Sequence, residues 1–256
     1  MPEQKKRIAV VGAGIAGLTC AYELQQAGFE VVVFEQEKQV GGRMASRVKD
    51  GFVFDIGADH LCDLYDEMKK YCQAFGIPWE KMRFLKYGVV KNGKVVAPND
   101  AIGRLGKWRL AWAYYRARNA GDFFELDQLV AHDIKDAYNY MRWRTGKDVS
   151  DYFVDAFTST YQFHRAKEIS LGALFGVMRS IKEENERWAL YRTPGGMQAL
   201  PDAFAKRLSV QLGTPVHEVS AGKEITVQTD KGEEQYDMAV LATPAPITLG
   251  MYKNPT

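Results

Sequence analysis

RIAVVGAGIAGLTCAYELQQAGFEVVVFEQ, residues 7–36, has the order strand, glycine turn, helix, strand. Ile8 to Val11 is a short apolar run between a charge cluster and glycines, which reads as a strand buried on both faces. In the turn Gly12-Ala13-Gly14-Ile15-Ala16-Gly17, the first glycine permits a tight bend and the second lets backbone approach a pyrophosphate. The third lets a helix sit close on the strand. The spacing predicts a helix over Ile15–Gln26, stopped by Gly28, whose free N–H groups and positive dipole end face an anion. A second strand, Phe29 to Phe34, delivers Glu35, eighteen residues after Gly17. A carboxylate there accepts bonds from ribose hydroxyls and repels a 2′-phosphate. The unit reads as a Rossmann-type dinucleotide site in an α/β fold. A glycine-rich turn without a ligand would leave three glycines and an acid unexplained.

The rest of the composition narrows the class. The chain has 256 residues, 46% hydrophobic and 26% charged, which suits a globular protein of one large domain or two intertwined ones. A net charge of +2 makes no overall electrostatic case for nucleic acid or acidic lipid. Cys20, Cys62 and Cys72 are odd in number and lack metal spacing, so the expected compartment is reducing and cytoplasmic. His132 and His164 have no Cys or carboxylate partner at ligand spacing, and no metal site is expected. The N-terminal apolar run is broken by Gly12, Gly14 and Gly17 and offers no signal-peptide cleavage site. No segment reaches the roughly eighteen apolar residues of a membrane span.

Whether the dinucleotide is a nicotinamide or a flavin turns on the next segment, VGGRMASRVKDGFVFDIGADH, residues 40–60. A simple nicotinamide domain would continue into another crossover helix. Here Gly41 and Gly42 instead bring backbone amides close to a ligand, and Arg43 offers a planar fork for phosphate. Phe52 and Phe54 alternate with Val53 and Asp55 on a short strand that ends at Gly57-Ala58-Asp59-His60.

Residues 7–36 together with 40–60 resemble the flavin-containing amine oxidase superfamily, which includes protoporphyrinogen oxidases, carotenoid desaturases and monoamine oxidases. TPGGMQALPDAFAKRL (193–208) is similar to that family's Gly-Gly-Met helix. VQLGTPVHEVSAGKEITVQTDKGEEQYDMAVLATPAP (210–246) is similar to the strands that close its flavin domain. The resemblance implies FAD. It places Gly12, Gly14 and Gly17 at the pyrophosphate, in a turn completed by Ala13, Ile15 and Ala16, and Glu35, with Gln36 beside it, at the adenosine ribose. Gly42, Arg43 and Met44 would line the phosphates and ribityl chain, and Gly57, Ala58, Asp59 and His60 would lie toward the isoalloxazine. Val216 would hold adenine through its backbone, and Ala242 and Thr243 would also adjoin the cofactor. A surface ion pair is the other reading of Arg43. For His60, a polar residue near the ring stands beside a catalytic one, and no catalytic residue is assigned.

Between these segments, Leu61 to Phe75 reads as a helix ending near Gly76. Residues 87–96 read as a hairpin turning at Asn92-Gly93. From about Ala101 to Glu184 the pattern is helical, with Gly146 as a stop and Ser150 and Ser170 as candidate caps. The expected division is 1–85 and 188–256 for the FAD-binding domain and 86–187 for an inserted, mainly helical substrate domain. Within the insertion, Leu105, Trp108, Trp112 and Tyr115 share a helical face flanked by Arg104, Lys107, Arg109, Arg116 and Arg118. Such a face suits a core with a basic rim, a membrane surface contacted through residues 104–118, or an anionic substrate. Tyr138, Tyr140, Trp143, Tyr152, Phe153, Phe157, Tyr161 and Phe163 read as helix-packing core.

The resemblance also implies sequence beyond Thr256: further substrate-domain strands, a late Gly-Asp motif and often a lysine that positions water near the flavin. The expectation is a chain lacking this C-terminal part, of unassigned oligomeric state. The function expected is an FAD-dependent oxidoreductase that removes hydride from a C–N or C–C bond of a small amine or apolar, ring-containing substrate, nearer a protoporphyrinogen oxidase or desaturase than a monoamine oxidase. A non-catalytic FAD-fold fragment, a NAD-dependent dehydrogenase and a flavin mutase of sugar nucleotides stay open.

Overall fold

The computed structural model describes residues 5–83, 88–121, 126–133, 135–161, 164–183 and 189–253. Its contacts divide the chain into two units, 1–82 with 190–256, and 83–189.

The first unit is built on the opening motif. Strand β1 (Arg7–Val11), helix α1 (Ile15–Gln26) and strand β2 (Glu30–Phe34) form a parallel β-α-β unit, with Ile8 opposite Val31 and Val10 opposite Val33. The sheet is completed from far downstream. β10 (Ser209–Gln211) pairs with β2 and β14 (Met238–Leu241) pairs with β1, all parallel, in the order β10-β2-β1-β14. Because side chains alternate along a strand, Ile8, Val10, Val31 and Val33 reach one face and Ala9, Val11 and Phe34 the other. The first set packs with Leu18 and Ala21 of α1, Tyr71 and Cys72 of α2 (Asp66–Ala74) and Leu200 and Phe204 of α10 (Ala199–Ala205). The second set packs on an antiparallel meander, β11 (Val216–Ala221), β12 (Ile225–Thr229) and β13 (Gly232–Tyr236), through Val219, Val227 and Tyr236. After α11 (Ala245–Met251), β15 (Tyr252–Lys253) joins the meander parallel to β11. The unit thus has three layers with both faces of the parallel sheet covered, as an apolar parallel sheet requires.

Two small strand groups complete it. β3 (Ser46–Lys49) and β4 (Phe52–Asp55) form a hairpin. β5 (Leu61–Cys62) and β6 (Glu80–Lys81) both pair with β9 (Leu190–Arg192). The helix expected over 61–75 therefore begins only at Asp66: Leu61 and Cys62 pair with Tyr191 and Leu190, a long-range ladder that overrides local periodicity.

The second unit contains the hairpin β7 (Val89–Lys91) and β8 (Lys94–Val96), with Asn92 and Gly93 at φ +53° and +73° as an Asn-Gly turn demands. Tyr87, the expected start of that hairpin, lies outside the described residues. There follow α3 (Pro98–Ala101), α4 (Arg104–Ala117), α5 (Leu126–Leu129), α6 (Ala137–Thr145), α7 (Lys147–Val149), a π-helical segment (Ser150–Asp155), α8 (Ala156–Tyr161) and α9 (Leu171–Glu183). Leu110, Ala113 and Ala117 of α4 share a core with Met141 of α6 and with Leu171, Leu174, Phe175 and Met178 of α9.

Three local expectations change. Ser150 starts no helix as an N-cap: it is buried where α7 runs into the π-helical segment, its hydroxyl donating to Gly146 O at 3.2 Å. Trp143 is no core residue, standing 70% exposed, and the face of α4 that carries Leu105, Trp108, Trp112 and Tyr115 is exposed. The core uses the opposite face of that helix. Phe163 and the side chain of Tyr161 lie outside the described residues. Ser170 does cap, accepting from Ala173 N at 3.1 Å.

Candidate functional site

Strand order reverses at β1, with β2 on one side and β14 on the other, so the turn after β1 opens at a topological switch point. Gly12 takes φ +103°, and its N–H donates to Phe34 O at 2.8 Å. A Cβ at Gly17 would stand 2.0 Å from Gly12 O, which forces glycine where α1 lies on the turn. Gly14 differs: a Cβ there would meet no protein atom within 4 Å. Gly14 also heads α1 without any side-chain cap. Ala13 is buried, so it can meet a ligand only through backbone, while half-buried Ile15 packs against the core.

A second turn closes on the first. Gly41, at φ +115°, donates its N–H to Ala13 O at 2.8 Å and bridges to Gly14. Gly42, at φ +53°, lies so close that a Cβ would be 3.3 Å from Gly14 Cα. Arg43 is exposed, while Met44 is buried against Leu61 and Met197, leaving its backbone for any ligand. Residues 57–60 lie against this turn. Ala58 N donates to Arg43 O at 2.8 Å, and a Cβ at Gly57 would stand 2.1 Å from that oxygen. His60 Nδ1 is 2.6 Å from Asp59 Oδ1, an ion pair only when the imidazole is protonated.

Glu35 lies at the end of β2. Its Oε2 accepts from Ala13 N at 2.7 Å and its Oε1 from Glu37 N at 3.0 Å. A carboxylate has about four acceptor positions, so hydroxyl donors can still be taken. Exposed Gln36 follows. Thr214 N donates to Glu35 O at 2.8 Å, which brings half-buried Val216, at the start of β11, to the same end of the sheet. Ala242 N donates to Val11 O at 2.9 Å, and a Cβ at Gly12 would meet Ala242 O at 3.1 Å and Thr243 Cγ2 at 3.3 Å. Segments 12–17, 35–36, 42–44, 57–58, 216 and 242–243 thus gather around one end of the parallel sheet.

Sequence reasoning missed the residues that hold the second turn. Asp55 Oδ1 accepts from Ser46 Oγ at 2.5 Å and Met197 N at 2.9 Å. Ser46 Oγ accepts from Gln198 N at 3.0 Å, and Gln198 Oε1 accepts from Ser46 N at 3.1 Å. Gln198 Nε2 donates to Val40 O at 3.0 Å and to Asp202 Oδ1 at 2.7 Å. Residues 40–46 are thereby tied to the loop before α10. No local signal in the sequence marks these residues, because their partners lie far along the chain.

A family model described as flavin containing amine oxidoreductase matches residues 15–251. The chain belongs to this family. FAD is its cofactor, and the nicotinamide alternative falls away. The chain is 29% identical to the mitochondrial protoporphyrinogen oxidase of Nicotiana tabacum over an alignment covering 84% of this chain and 51% of that protein. It is 39% identical over 83 residues to a 4,4'-diapophytoene desaturase of Staphylococcus aureus, 32% of this chain and 16% of that one. A putrescine oxidase variant superposes with a TM-score of 0.83 at 19% identity, covering 98% of this chain and 61% of the other. That likeness bears on fold alone and agrees with the Rossmann-type arrangement. The chain spans about half the length of the tobacco relative. By family it stands among flavin-dependent oxidoreductases, and the open cradle at Gly14 and the acceptors on Glu35 fit an FAD.

Proposed function

We propose that this chain binds FAD at the end of the β1 strand and serves the removal of hydride from a C–N or C–C bond of an amine or an apolar, ring-containing substrate. The carrying observation is the pair of glycine turns that meet at Gly14 and Gly42 while leaving the side of Gly14 where a Cβ would stand clear of protein atoms. In this reading Gly12, Gly14 and Gly17 hold the pyrophosphate, Glu35 the adenosine ribose and the Val216 backbone adenine. Residues 42–44 line the phosphates and ribityl chain, residues 57–60 approach the ring, and Ala242 and Thr243 close the floor.

When bound, the flavin supplies the hydride-accepting ring. The protein's work is to orient and to exclude water. The α1 N-terminus offsets phosphate charge, and Glu35 selects a ribose with free hydroxyls. The network of Asp55, Ser46 and Gln198 keeps the second turn in register with the first. Residues 1–85 and 188–256 act as the FAD-binding domain and 86–187 as the substrate domain. In support, the helical unit has a half-open apolar pocket of about 220 Å³ lined by Val89, Pro98, Tyr152, Phe153 and Phe157. Similarity to protoporphyrinogen oxidases and a desaturase favours those substrate classes over a simple amine. Cys20, Cys62 and Cys72 form no disulfide with one another, which fits a cytoplasmic setting, and residues 104–118 supply a membrane contact.

One observation favours a second reading, an FAD-holding chain that does not turn over alone. Val48, Phe52 and Phe54 on the hairpin that leads into residues 57–60 are exposed, whereas a working flavin site shields such groups. The test is to add FAD, pass the protein through gel filtration and record its visible spectrum. Flavin bands eluting with the protein are expected, and folded but colourless protein would sink the proposal. Anaerobic bleaching by protoporphyrinogen or a polyene, and not by putrescine, supports the leading reading. Bound flavin that none of them bleaches supports the second.

A further inference from the structure

The exposed aromatic face of α4 does not stand alone. Trp108 is 79% exposed, and Leu105, Trp112 and Tyr115 share its face. Trp143 on the neighbouring α6 is also exposed, and Arg144 joins the two helices, its guanidinium 3.9 Å from the Trp143 ring centre and 5.3 Å from that of Trp112. Arg116 lies 5.7 Å from the Trp112 ring centre and Arg118 3.5 Å from that of Tyr115. Residues 104–118 carry Arg104, Lys107, Arg109, Arg116 and Arg118 and no Asp or Glu; residues 137–147 carry Arg142, Arg144 and Lys147 between Asp136 and Asp148, with Lys147 paired to Asp151. Among the described residues, no helix is long and apolar enough to cross a membrane.

We propose that α4 and α6 together form a docking surface for an anionic lipid headgroup layer, with Trp108, Trp112, Tyr115 and Trp143 seated at headgroup depth and Arg116, Arg118 and Arg144 paired with lipid phosphates. This rests on the membrane contact proposed for residues 104–118 and extends it to a second helix and a lipid charge. Indole and phenol rings prefer the interface because one edge is apolar and the other polar. Arginine stems lie along apolar surface while their heads reach phosphate. The guanidinium groups already lie on the rings, so little order has to be gained on docking. The excess of positive charge on α4, joined by Arg144, matches an anionic leaflet, although the whole chain carries a net charge of only +2.

The test is sedimentation of the full chain with vesicles of phosphatidylcholine and of a phosphatidylcholine–phosphatidylglycerol mixture, with tryptophan emission recorded on the bound fraction. Binding to the mixed vesicles with a blue shift, and several-fold less to the neutral ones, is expected. Arg144→Glu should weaken it about tenfold or more, since each cation near such a surface is worth about a fivefold factor. Trp143→Ala should remove part of the shift. Unchanged circular dichroism in both variants excludes misfolding as the cause. Failure of any vesicle to bind overturns this proposal together with the α4 contact. Binding abolished by Trp108→Ala but indifferent to both α6 changes overturns the two-helix surface and leaves the α4 contact. Equal binding to neutral vesicles overturns the anionic assignment, as does tighter capture of a single-stranded oligonucleotide. A solution dimer dissolved by Trp143→Ala, without vesicle binding, assigns the face to a second copy and overturns the proposal.

Discussion

Gly14 and Gly17 separate two uses of the same residue type. At Gly17 a methyl group would stand 2.0 Å from Gly12 O and 3.1 Å from Ala242 Cβ, so Gly17→Ala should lower the thermal midpoint by several degrees and abolish flavin retention. At Gly14 the backbone is extended, with φ −69°, and the added methyl meets nothing. Gly14→Ala should leave the thermal midpoint nearly unchanged while FAD affinity falls at least about tenfold, because the methyl occupies the cofactor's space. Fluorescence titration with FAD beside thermal denaturation reads both. An equal loss of midpoint in the two variants would contradict this division of roles. Such glycines were legible because their backbone demands appear within six residues of one another. Ser46, Asp55 and Gln198 were not: the bonds joining them span up to 152 positions, and no local pattern marks such a tie. Asp55→Asn and Gln198→Ala should each cost about 1–3 kcal/mol through unmet buried groups, seen in urea titrations, and weaken FAD in parallel.

Among the elements, α6 carries the clearest cap. Asp136 accepts from Asn139 N at 2.8 Å and from its side-chain amide at 2.9 Å. Burial pushes the Asp136 carboxyl up, but the Asn139 bonds and Lys167 outweigh it and hold the group below its ordinary 3.8. A lowered folded value means the carboxylate's stabilisation is full above the ordinary value and lost as pH falls through the folded one. Asp136→Ala should therefore cost the helical unit about 1 kcal/mol near neutrality. The gap from the parent should narrow below pH 4, as urea titrations at several pH values would reveal; a gap constant down to pH 2 would contradict it. Sequence reading located α1, the Asn-Gly hairpin and the Ser170 cap because each is decided by neighbours in the chain. It failed at Leu61–Cys62, where the partner is β9, and at Trp143, where an aromatic residue near a helix end resembles core whether or not another helix covers it.

For the molecule, the decisive economy lies in β6 and β9. Glu80 pairs with Arg192 and Lys81 with Tyr191, and Met82 N donates to Leu190 O at 2.8 Å. The chain thus leaves and re-enters the first unit at adjacent points. Replacing residues 83–189 with a two-residue turn should leave a cooperatively folding unit that keeps FAD and no longer sediments with anionic vesicles; loss of far-ultraviolet circular dichroism beyond the deleted helices would contradict this. The α/β class was legible from the opening thirty residues, since strand, turn, helix and strand are contiguous there. The strand over Asp237–Thr243 was expected in the sheet of Ile8, but the register of Met238 on Ile8 and of Ser209 on Val32 has no local trace at such separations. That same separation sets a timetable for synthesis. β1 and β2 emerge early, yet the strands that flank them begin at Ser209 and Met238. At a ribosomal pace of about 5–20 residues per second, the nascent pair spends roughly 10–40 s with apolar strand edges uncovered. The helical unit has its own core, so its folding can finish while the first two strands of the sheet still await their neighbours.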